Sequence, residues 1–93
     1  MKNKIKLSPK ALDDIRNGAV YYNEQQKGLG KSFKVVINKT LDEVREMPLS
    51  ASIVYEDVRY KVVENFPYII LYKIKGNVIS VSTVFNIHLR PSY

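Results

Sequence analysis

The sequence predicts an α+β fold, β-α-α-β-β-β in order, with an antiparallel sheet packed as one layer against a helical hairpin. Three observations lead there. Apolar residues recur at steps of three and four over two stretches separated by "KGLGK", the spacing shifts toward two after "PLSAS", and one proline, Pro67, interrupts the strand-like run from Arg59 to Phe85. The first pattern belongs to amphipathic helices and the second to strands with one buried face. A proline has no N–H to give a strand ladder, so Pro67 marks a joint between two strands.

The elements follow in order. Ile5 and Leu7 alternate with lysines and predict a short first strand. Ser8 is a good helix N-cap and Pro9 falls at the first helical position, where its missing N–H costs nothing. Asp13 and Asp14 follow near the positive end of the helix dipole. Leu12, Ile15, Ala19 and Tyr22 form the stripe of a helix from about Pro9 to Gln26. Gly28 and Gly30 are expected to turn the chain. A second helix, about Lys31 to Glu46, shows Phe33, Val36, Ile37, Leu41 and Val44 on one side and stops at Pro48. Strands are predicted from about Ile53 to Phe66, Tyr68 to Lys75 and Asn77 to Ile87, with Gly76-Asn77 as the hairpin turn between the last two. In the last strand Ile79, Val81, Thr83 and Phe85 are expected on one face, and Ser80, Ser82 and Asn86 on the other.

With 93 residues, 45% of them hydrophobic and 26% charged, residues 1–93 fit a single domain. The longest apolar runs, such as "YIILY", fall far short of the roughly 20 residues that cross a bilayer, and no charged-then-apolar leader is seen. A cytoplasmic, membrane-free protein is the expectation. The absence of cysteine excludes disulfide and thiolate chemistry, and a lone histidine excludes His/Cys zinc sites, so no cofactor is expected. Fifteen Lys and Arg against nine Asp and Glu give a formal charge of +6, which favours polyanionic partners: RNA, DNA, the ribosome or an acidic protein. Lys2, Lys4 and Lys6 read first as solubilising surface charge.

Several pieces in this order resemble the RelE/ParE superfamily of bacterial toxins: "LSPKALDDI", "YYNEQQKGLGKSF", "MPL", Arg59 ahead of "FPYIILYKI", and "ISVSTVF". The resemblance covers nearly the whole chain. It implies a small basic toxin of a type II toxin–antitoxin (plasmid stabilisation) system, neutralised by a cognate acidic antitoxin. Operator DNA would be bound only through that complex. The long helical hairpin looks more like ParE-type members, which inhibit DNA gyrase and have no established catalytic residues. RelE-type members instead cut mRNA on the ribosome.

Metal-free RNA cleavage needs a base for the 2′-OH, positive charge on the phosphate and an acid for the leaving oxygen. Arg59 and Lys61 are candidates to hold phosphate, Glu56 to act as base, and His88 or Tyr93 to exchange protons. Arg59 and Lys61 are expected on the open face of the sheet, where Arg59 could equally pair with Glu56 or Asp57. Together with Arg90 they are the candidates for contact with nucleic acid or another target. The tail departs from the family: where many members follow the last aromatic with a histidine, this chain has Asn86, whose amide does not titrate. Asn86 thus favours the gyrase inhibitor over the nuclease. A decayed toxin that retains only antitoxin binding is the third reading. Tyr22 and Leu29, the latter expected exposed at the hairpin turn, are the candidates for antitoxin contact. Tyr68 and Tyr72 read as core, Tyr55 and Tyr60 as exposed.

Overall fold

The computed structural model describes residues 3–88. The chain forms β1 (Lys4–Leu7), α1 (Pro9–Gln25), α2 (Leu29–Glu46), a 3₁₀ turn (Pro48–Ser50), β2 (Ser52–Tyr55), β3 (Val58–Val62), β4 (Tyr68–Lys75) and β5 (Val78–Asn86). The strands make one sheet in the order β1-β5-β4-β3-β2, with β1 parallel to β5 and the other pairs antiparallel. The α1–α2 hairpin covers one face of it, giving the two-layer α+β architecture.

Local chemistry starts the helices where the sequence indicates. Ser8 caps α1 by accepting the Ala11 N–H at 3.0 Å, with Pro9 just inside. Ser8 also donates its hydroxyl to the Ser82 carbonyl at 2.7 Å, so one side chain starts the helix and fastens it to β5. Gly28 takes a φ of 86° before α2, a left-handed conformation that glycine adopts without steric cost. Gly30, expected in the turn, is instead inside α2. Its absent Cβ would lie 2.2 Å from the Ala19 carbonyl oxygen, so the two helices meet there backbone to backbone.

Ala11, Ala19, Phe33, Ile37 and Val44 from the helices meet Ile70, Tyr72, Ile79, Val81 and Val84 from the sheet. Burying one such large side chain stabilises the fold by about 1.5–3 kcal/mol. Leu12 is 46% exposed, contrary to expectation; the helix turns Ala11 to the core in its place. Phe66 and Tyr68, flanking Pro67, join Tyr22 and Phe33 in an aromatic cluster, with the Phe33 centroid 5.1 Å from Phe66 and 4.9 Å from Tyr68. The joint at Pro67 therefore aims two rings into the helical hairpin, while Asn65 takes the positive φ (68°) that the bend requires.

Two expectations about the strands are corrected. The segment from Ile53 to Phe66 is not one strand but a hairpin, β2–β3, turning at Glu56-Asp57 with Glu56 at φ 46°. The order is thus β-α-α-β-β-β-β. In β5, Thr83 and Phe85 do not share the face of Ile79 and Val81. Val81 pairs with Tyr72 and Thr83 with Leu71, which leaves Ser82 as an extra residue. That bulge shifts the alternation by one, so Val84 rather than Phe85 enters the core.

Candidate functional site

Arg59 and Lys61 lie on β3 opposite Tyr72 and Ile70, both 0% exposed beneath the helices. Paired residues share a face, so both cations point to the helix side and not to the open face. The Arg59 guanidinium donates to the Ala51 carbonyl at 2.7 Å and the Leu49 carbonyl at 3.3 Å. Beside it the Tyr72 hydroxyl donates to the Pro48 carbonyl at 2.7 Å. Burial raises the Tyr72 phenol above its usual range, with the Arg59 charge opposing that shift. Neither Glu56 nor Asp57 pairs with Arg59; Lys73 reaches Asp57 at 3.6 Å, and Glu56 stands exposed in its turn. Lys61 lines a hollow of about 460 Å³ with Asp42, Glu43 and Glu46 of α2, a carboxylate-rich setting.

A second surface forms where β5 outruns β1. Beyond Val81 the outer edge of β5 has no strand partner, and α1 covers it instead. Asp14 accepts the Val84 N–H at 3.1 Å, the Thr83 hydroxyl at 2.6 Å and the Lys10 ammonium at 3.0 Å, standing in for a neighbouring strand. Next to it opens a groove of about 720 Å³ lined by Tyr21, Tyr22, Pro67, Phe85, Asn86 and His88. His88 is exposed, and its backbone N–H bonds the Asn86 side-chain oxygen at 2.9 Å. Tyr22 is half-buried, its phenol raised by burial and then by Tyr68 and Tyr21. Leu29 is half-buried at the start of α2 rather than exposed.

The structure therefore distributes the candidates over three places. Lys61 lies beside α2 and Arg59 beneath the segment that follows it, Glu56 in the β2–β3 turn and His88 at the α1–β5 groove; Arg90 and Tyr93 fall outside the described residues. Among the described residues no three or more of His, Cys, Asp and Glu gather as a metal site, and no helix is long and apolar enough to cross a membrane. Two features escaped sequence reasoning. The α1–β5 groove depends on contacts between residues about seventy positions apart in the chain, such as Asp14 and Thr83. The edge strand β2 is exposed throughout, with Ile53, Val54 and Tyr55 uncovered as are Met47 and Leu49; the sequence shows the apolar run and an exposed Tyr55, but a single strand from Ile53 to Phe66 conceals that this segment is a separate edge strand.

A helical hairpin packed across one face of a small sheet is the α+β arrangement that the resemblance to RelE/ParE-type toxins implies. A model of the ParE toxin of type II toxin–antitoxin systems (parDE) matches residues 5–86, and the chain belongs to this family. Its fold is similar to that of a solved chain described as the chromosomal ParDE TA system from P. aeruginosa, with a TM-score of 0.81 at 15% identity, over 90% of this chain and 95% of that one. No curated protein sequence matches it.

Proposed function

We propose that this ParE-family toxin acts in the cytoplasm by binding DNA gyrase and inhibiting it, without cutting nucleic acid. The observation that carries the reading is the separation of the acid–base candidates: His88 and Lys61 line different hollows, and the Arg59 guanidinium is engaged by backbone carbonyls. General acid–base cleavage needs those groups within hydrogen-bond reach of one phosphate. A binding inhibitor needs only a surface. The partner would be an acidic antitoxin with a segment that folds on binding, its apolar side chains in the α1–β5 groove beside Tyr21, Tyr22 and Phe85. Operator DNA would be reached through that complex.

The test is supercoiling by purified gyrase with increasing toxin, run beside ribosomes translating a defined mRNA. Loss of supercoiling with intact mRNA is expected. Cut mRNA that is spared by His88→Ala, with supercoiling untouched, would replace this reading with the ribosome-dependent endonuclease.

A further inference from the structure

Charge is segregated by layer in this molecule. The five strands carry six Lys and Arg and no Asp or Glu, while all nine carboxylates lie on the helices and in the turns. Arg59 and Lys61 face the helices. The other four are Lys4 and Lys6 on β1 and Lys73 and Lys75 on β4, and the register places them together on the open face. Lys4 pairs with Val78 and Val78 with Lys75; Lys6 pairs with Ser80 and Ser80 with Lys73. Two rows of two lysines thus flank β5, with the half-buried Ser80 between Lys6 and Lys73. Lys73 reaches Asp57 at 3.6 Å, and among the described residues Lys4, Lys6 and Lys75 have no ion-pair partner.

We propose that this lysine quartet on the open face of the sheet binds the phosphate backbone of duplex DNA, independently of base sequence. Lysines two residues apart on a strand are about 6.6 Å apart. That matches the axial advance of two nucleotides at about 3.4 Å each in one DNA strand. The rows lie two strand spacings apart, roughly 9.5 Å, and their long stems let the ammonium groups converge on one line of phosphates. Lysine contributes point charge without the planar fork that reads a base edge, and a serine hydroxyl between the rows is a further donor for phosphate oxygen. An acidic peptide fits less well. β5 is already paired on both sides here, so a peptide laid across it finds no free main-chain groups, whereas a phosphate backbone requires none. This inference does not depend on gyrase being the target.

Fluorescence anisotropy of a labelled short duplex, titrated with the full-length protein from about 50 to 200 mM salt, tests it. With three or four phosphates neutralised, log K should fall against log salt with a slope of about −2.7 to −3.6. Replacing Lys4, Lys6, Lys73 and Lys75 by Gln should weaken binding by at least about tenfold and remove most of that slope. A charge-matched variant of the helical layer, with Lys27, Lys31, Lys34 and Lys39 changed to Gln, should bind as the parent does. Equal losses from both variants would reduce the effect to net charge and overturn the proposal. So would tighter binding of polyglutamate than of duplex at equal charge, which would make an acidic protein the occupant. Should the quadruple variant fail to fold, Lys4→Gln/Lys6→Gln and Lys73→Gln/Lys75→Gln, each confined to one strand, should each remove about half the slope.

Discussion

Arg59 and Tyr72 stand opposite each other on β3 and β4, and both donate at 2.7 Å to carbonyls of the segment that leaves α2: Arg59 to Ala51, Tyr72 to Pro48. The pair holds the end of the helical hairpin to the sheet. Arg59→Ala should lower stability by about 1.5–3 kcal/mol, the scale of hydrogen bonds from a charged donor. Denaturant midpoints measure this, and toxicity should fall only as far as the folded fraction does. A variant with unchanged stability and no toxicity would make Arg59 a target contact instead.

Tyr72→Phe removes one buried hydrogen bond and should cost about 1 kcal/mol at neutral pH. The Tyr72 phenol is raised in the fold, first by burial, so the folded state prefers the protonated form. Its contribution is complete below the unfolded value, about 10, and is lost as pH rises through the higher folded value. Thermal melts at rising alkaline pH should show a shallower decline for Tyr72→Phe than for the parent. Tyr22, raised in the same direction, keeps some decline in both.

Asp14 substitutes for a missing strand at the edge of β5. Asp14→Ala leaves the Val84 N–H and the Thr83 hydroxyl without this acceptor and should cost about 1.5–3 kcal/mol. Hydrogen exchange at Val84 should speed up more than at Ile79, which β1 still covers.

Gly30→Ala would gain up to about 1 kcal/mol of helix propensity, yet its methyl would collide with the Ala19 carbonyl. The nearest obstacle is backbone, and the Asn23 side chain 2.9 Å away is itself held by the Gly30 N–H, so neither yields freely. Net destabilisation of about 1–3 kcal/mol is expected from a melting curve, the usual range for overpacking.

Legibility in the sequence followed the range of the interactions. The Ser8-Pro9 start, the α2 stripe, the Pro67 joint and the Gly76-Asn77 turn are decided within a few residues, and each is found in place. The β2–β3 turn is not legible because "YEDV" has no glycine or proline, and its positive φ falls on Glu56, a residue type that rarely adopts one. The side on which Arg59 and Lys61 emerge is set by pairing with β4, so alternation alone could group the two but not assign their face. The groove and the lysine quartet arise from strands that are distant in sequence, and no local spacing encodes them.

The extra residue at Ser82 has a consequence for the end of the chain. Sidedness along a strand is a parity, and this bulge inverts it once, between Val81 and Val84. Asn86 consequently pairs with buried Tyr68, and the last turn of described chain meets the groove beside α1. Pairing Ser82 with Leu71 would restore unbroken alternation and turn Val84 out and Phe85 toward the helices, whereas deleting Ser82 would leave Val84 opposite Ile70 and in the core. The bulge thus sets which side chains after Val81 face the helices, and its removal should be far milder than its regularisation.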